Sequence, residues 1–67
     1  MSIVKVIEVI CEGETVDAAL KNGILEASKT VEQIKQINVE HIEGLVENNK
    51  IKKIRVNAKI SFIVEQQ

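Results

Sequence analysis

The chain has 67 residues, one cysteine, one histidine, and ten acidic against nine basic side chains, for a formal net charge of −1. That length allows a single domain spanning 1–67, and one cysteine with one histidine excludes an internal disulfide framework and a zinc-type ligand set. Charges of both signs are interspersed and Phe62 is the only aromatic residue, which argues against a nucleic-acid partner, since that needs clustered Lys and Arg and rings to stack on bases.

A domain this small hides only about 60% of the surface its unfolded chain exposes, so close packing or self-association must make up the difference. No apolar run approaches the roughly 20 residues of a spanning helix, and no signal-peptide pattern opens the chain. A soluble, cytoplasmic protein with no membrane partner is expected.

The first predicted element is a strand over Ile3–Ile10, rich in β-branched residues. Val4, Val6 and Ile10 point one way along it, and Ile3, Ile7 and Val9 the other. A strand apolar on both sides is normally covered on both sides. One helix covers one face of a small sheet, so the second cover is expected from a neighbouring subunit. Cys11-Glu12-Gly13-Glu14 reads as a turn.

Thr15 then suits a helix N-cap, and Asp17 complements the positive end of the helix dipole. Val16, Ala19, Leu20, Ile24, Ala27 and Val31 recur at three- and four-residue steps, one stripe of an amphipathic helix leaving its path near Glu32. The stripe stays in phase across Asn22-Gly23, so the segment reads as one helix carrying an internal glycine, at a cost of about 1 kcal/mol.

From Gln36 to Val64 two strands are joined by Glu47-Asn48-Asn49-Lys50. Ile54, Val56, Ala58, Ile60, Phe62 and Val64 fall at every second position with polar residues between, so this strand has one apolar face and one polar face. Asn tolerates positive φ, and Asn48-Asn49 suits a two-residue type I′ turn. Glu47 then opposes Lys50, which places Ile42 against Arg55, Val39 against Ala58, Ile37 against Ile60 and Gln36 against Ser61. The apolar halves of the two strands meet in that register. Gln36, Asn38, Glu40, Arg55, Asn57 and Lys59 share the opposite face.

The order strand, helix, strand, strand gives an α+β fold, β-α-β-β. Its three-stranded antiparallel sheet has order 1-3-2 and is wrapped on one helix.

Val4-Lys5-Val6-Ile7-Glu8-Val9-Ile10, Ala27-Ser28-Lys29-Thr30-Val31, Ile37-Asn38-Val39-Glu40, Gly44-Leu45-Val46-Glu47-Asn48-Asn49-Lys50 and Lys59-Ile60-Ser61-Phe62 together resemble the dodecin family. The likeness covers nearly the whole chain, with about one residue missing in the first loop, and Ala-Ser-Lys-Thr is its most specific piece. Dodecins are β-α-β-β proteins that assemble as hollow shells of twelve subunits and mostly bind flavins, in a storage or shielding role. The resemblance therefore implies a homododecamer of this chain and a flavin (riboflavin- or FMN-like) as cofactor.

In flavin-binding dodecins a tryptophan on the second strand stacks on the isoalloxazine ring and a glutamine on the third hydrogen-bonds its polar edge. The matching positions here are Gln36 and Arg55. Loss of a stacking ring removes about 1–3 kcal/mol, by analogy with base stacking. Arginines that suit a nucleotide phosphate in many bacterial members correspond to Glu43 and Ile63. A guanidinium can itself stack on a planar ring and donate to carbonyl oxygens. Arg55 is therefore either a flavin contact or the partner of Glu40 or Glu43 in a salt bridge, and Gln36 either a ligand contact or a hydrogen bonder between subunits.

Glu40, His41 and Glu43 invite a metal reading, but alternation sends Glu40 and His41 to opposite faces, which precludes joint chelation within one strand. Carboxylates gathered by oligomer symmetry would suit calcium or magnesium. Nothing resembles a catalytic triad, a phosphate-cradling glycine loop or a carboxylate pair in a cleft, so no enzymatic activity is expected. The leading expectation is a non-enzymatic, flavin-binding oligomer with a diverged pocket. A flavin-free shell of structural, ion-binding or small-molecule storage role is the alternative, and a monomeric adaptor with an exposed sheet face is the third.

Overall fold

The computed structural model describes residues 2–65. Four elements follow in order: β1 (Ser2–Gly13), α1 (Val16–Ala27), β2 (Ile34–Glu47) and β3 (Lys50–Glu65). They form one antiparallel sheet in the order β1-β3-β2, as the sequence predicts. β3 is central because the hairpin places it beside β2 and its outer edge accepts β1. Asn48 and Asn49 take φ of 53° and 63°, the left-handed pair that a type I′ turn requires.

Alternation along β3 decides where the core lies. Val56, Ala58, Ile60 and Phe62 are buried, whereas Arg55, Asn57, Lys59 and Ser61 are only partly so. Cross-strand partners share a face, so Ile7, Val9 and Cys11 of β1 and Ile37, Val39 and Ile42 of β2 join the apolar side. α1 lies on that side over β1 and β3, with Ala19 fully buried against Cys11, Val56 and Ala58. Thr15 caps the helix, its Oγ1 accepting from the Ala18 amide at 3.0 Å, and Asp17 pairs with Lys21 at 3.0 Å one turn on.

Three expectations need correction. The segment Cys11–Gly13 is strand, not turn: Cys11 opposes Val56, Glu12 opposes Arg55 and Gly13 opposes Ile54. The helix ends at Ala27, short of Glu32: Ser28 Oγ donates to the Leu25 carbonyl and Thr30 Oγ1 to that of Ala27, backbone turns run on to Val31, and Gln33 at φ 55° turns the chain into β2. Those hydroxyl bonds compete with continued helix. In the hairpin Ile42 opposes Val56 and Glu43 opposes Arg55, one residue from the uniform register. An irregularity between Leu45 and Val46 shifts the pairing, and a bulge between Val39 and His41 restores it, so the apolar pairs nearer Gln36 stand as predicted.

Two glycines are set by close approach. A Cβ on Gly13 would stand 2.6 Å from the Ala19 amide nitrogen, and one on Gly23 would collide with Cys11 Sγ. Gly23→Ala should therefore destabilise, because overpacking a buried thiol costs about 1–3 kcal/mol against about 1 kcal/mol gained in helix propensity. Combined with Cys11→Ala, it should cost less than the two changes summed. Urea midpoints of the four proteins in that cycle are the check.

Candidate functional site

Among the described residues, none covers the face of the sheet away from α1. Val4, Val6 and Ile10 project from β1 on that side and are 63%, 53% and 68% exposed. The two-sided β1 of the sequence reading is thus present, with one side packed under the helix and the other bare. β3 contributes Lys53, Arg55, Asn57, Lys59 and Ser61 to this face, and β2 contributes Gln36, Asn38, His41 and Glu43.

A groove of about 610 Å³ crosses the middle of the face, lined by Glu8, Ile10, Glu40, His41, Asn57 and Lys59. Its shape follows from the bulge in β2. Glu40 is the extra residue, so alternation resets and Glu40 and His41 both turn toward the groove, which corrects the expectation that they face apart. Glu40 Oε1 lies 3.2 Å from Lys59 Nζ, and His41 opposes Asn57. Among the described residues, no three His, Cys, Asp or Glu side chains come together to hold a metal ion.

Arg55 is partly buried, and its partner is neither Glu40 nor Glu43. Its Nε donates to Glu12 Oε2 at 2.9 Å and its Nη2 lies 2.8 Å from the same oxygen. Lys53 Nζ approaches the other oxygen of Glu12 at 3.3 Å. One carboxylate on β1 therefore holds two cations of β3. The hydrogen bonds from Arg55 and then Lys53 draw the Glu12 carboxyl below the ordinary value of 4.5. A group with a lowered folded pKa stabilises above its unfolded value and loses that contribution as pH falls through the folded one. The stability gap between wild type and Glu12→Gln should be full at neutral pH and close in strong acid, as read from urea midpoints across that range.

Gln36 is exposed on β2 opposite Ser61, and Arg55 lies six residues from Ser61 along β3. At 3.3–3.4 Å per residue the two are roughly 20 Å apart, too far for one planar ring to touch both within a protomer. They flank the groove from opposite ends. Glu43 opposes Arg55, and Ile63 opposes Val4 on the bare face.

Glu12 is the residue that sequence reasoning missed. Its signal was there, because Ile7, Val9 and Cys11 continue the alternation of β1 into the segment read as a turn. The Cys11 thiol is buried, which pushes its pKa up and makes it a poor nucleophile. No helix among the described residues is long and apolar enough to cross a membrane.

The family model for dodecin matches residues 3–65. Among solved structures, a dodecin from Streptomyces davaonensis is 26% identical over 97% of each chain, with a TM-score of 0.90. A Streptomyces coelicolor dodecin is 25% identical over 98% of this chain and 96% of that one, also at 0.90. A Thermus thermophilus dodecin, solved as an arginine-to-alanine variant, superposes at 0.91 over both full chains at 22% identity, a likeness of fold. No curated protein matches the chain.

Proposed function

The chain belongs to the dodecin family, and from that we propose a non-enzymatic homo-oligomer, twelve-membered as the resemblance implies, that holds a flavin or similar planar ligand between its helix-distal sheet faces. The observation that carries this reading is the bare apolar strip of Val4, Val6 and Ile10 beside a polar groove on the same face. A strip of that kind on so small a domain is characteristic of a surface that another copy covers. The separation of Gln36 and Arg55 supports the same arrangement, since one ligand would meet both only if different copies supply them. In the closed assembly Gln36 would contact the ring edge and Arg55 its carbonyl oxygens or its face.

Titrating riboflavin with the purified protein tests the ligand. Quenching of flavin fluorescence at micromolar protein is expected, and its absence removes the flavin reading. One observation favours a second reading, a flavin-free shell of the same architecture. Arg55 already has a partner in its own protomer, and Gln36 offers no ring to stack. A protein that assembles but neither is yellow nor quenches riboflavin would be that shell.

A further inference from the structure

We infer that Glu12 is a ligand-selecting residue, which neutralises Arg55 and Lys53 so that the distal face takes an uncharged planar ligand in preference to its phosphorylated form. This rests on the flavin reading above and concerns which flavin is held. The argument is one of charge placement. Glu12 lies in the row Glu12–Arg55–Glu43, so Arg55 has a carboxylate on the strand to either side. Both guanidinium contacts run to Glu12, and Lys53 shares that carboxylate. Lys59, the lysine that lines the groove, is taken by Glu40. From Lys53 to Lys59, then, each lysine and arginine of β3 has a carboxylate partner in its own protomer, and Glu8 and Glu43 add negative charge beyond that.

A phosphate entering between Lys53 and Lys59 meets only cations already paired with a carboxylate, and must approach the surplus carboxylates of Glu8 and Glu43. An uncharged ring with carbonyl and hydroxyl groups suffers no such repulsion and still finds donors in Asn57 and Arg55. Selection of this kind works by rejecting the wrong ligand as well as by holding the right one. Glu12→Gln keeps a hydrogen-bond acceptor for Arg55 but frees two positive charges. At separations within a Debye length such charges remain felt by a phosphate.

The experiment compares dissociation constants for riboflavin and FMN in wild type, Glu12→Gln and Glu43→Gln at low ionic strength. Lys35, the sole lysine or arginine of β2, stands beside Gln36 in all three proteins, so the change in ratio isolates the altered carboxylate. Wild type is expected to prefer riboflavin, and Glu12→Gln to shift the ratio toward FMN by about fivefold. Glu43→Gln, at an exposed position, should shift it the same way by less. Riboflavin binding with FMN equal to it in wild type, or with an unchanged ratio in Glu12→Gln, overturns this inference alone. Failure of both ligands to bind wild type overturns it together with the flavin reading.

Discussion

Ile60→Ala is expected to leave an isolated protomer largely unfolded at room temperature. Ile60 is fully buried in the central strand, between Ile7 of β1 and Ile37 of β2. Truncating such a side chain removes its transfer energy and leaves a cavity, about 2–5 kcal/mol in all. A single core in a domain this small supplies only about 3–5 kcal/mol, so the loss is comparable to the whole. Ile60→Val removes one methylene and should cost about 0.5–1.5 kcal/mol, which provides the graded control. Urea unfolding followed by circular dichroism reads both, with each change made in a Val6→Lys, Ile10→Lys background that keeps protomers apart. A midpoint for Ile60→Ala within experimental scatter of wild type would mean that the core lies elsewhere.

The second large effect concerns assembly. Val6→Lys with Ile10→Lys places two ammonium groups on the bare side of β1, where neither touches the helix-side core. The protomer should keep its secondary structure, because exposed positions tolerate lysine. The oligomer should not survive, because each copy would bring two unpaired charges into a dry contact, at several kcal/mol per charge. Unchanged circular dichroism together with a fall in mass to a single copy is the expected result. Retention of the assembled mass would show that this face is not where copies meet.

Much of this architecture was legible in the residues. The alternation of β3, the Asn48-Asn49 turn and the stripe of α1 fix the hairpin, the sheet order and which face the helix covers. Each is a local rule that acts over two to four residues. What was missed depends on longer-range accommodation. The bulge at Glu40 carries no glycine or other local mark, and it offsets the register shift at Leu45. At the end of α1, hydroxyl bonds of Ser28 and Thr30 and the left-handed Gln33 compete with a stripe still in phase at Val31. Glu12 lies in a segment that reads as a turn, yet β1 runs through it to Gly13, on which the start of the helix packs closely.

For the site, Gln36 and Arg55 follow from the family resemblance alone, and they lie on the bare face beyond opposite ends of the groove. The partner of Arg55 was beyond sequence reasoning, since choosing among Glu12, Glu40 and Glu43 requires the register of three strands at once. That choice matters chemically. A guanidinium tied to Glu12 presents a neutralised pair rather than a free cation to whatever enters the groove.

The proposed function depends on burial of the helix-distal sheet surface by other copies of the chain. Light scattering on the freshly purified wild-type protein addresses this with the fewest assumptions. Twelve chains of 7.5 kDa predict a particle of about 90 kDa, unchanged on dilution through the micromolar range. A particle of 7.5 kDa would leave Val4, Val6 and Ile10 in water and contradict the account.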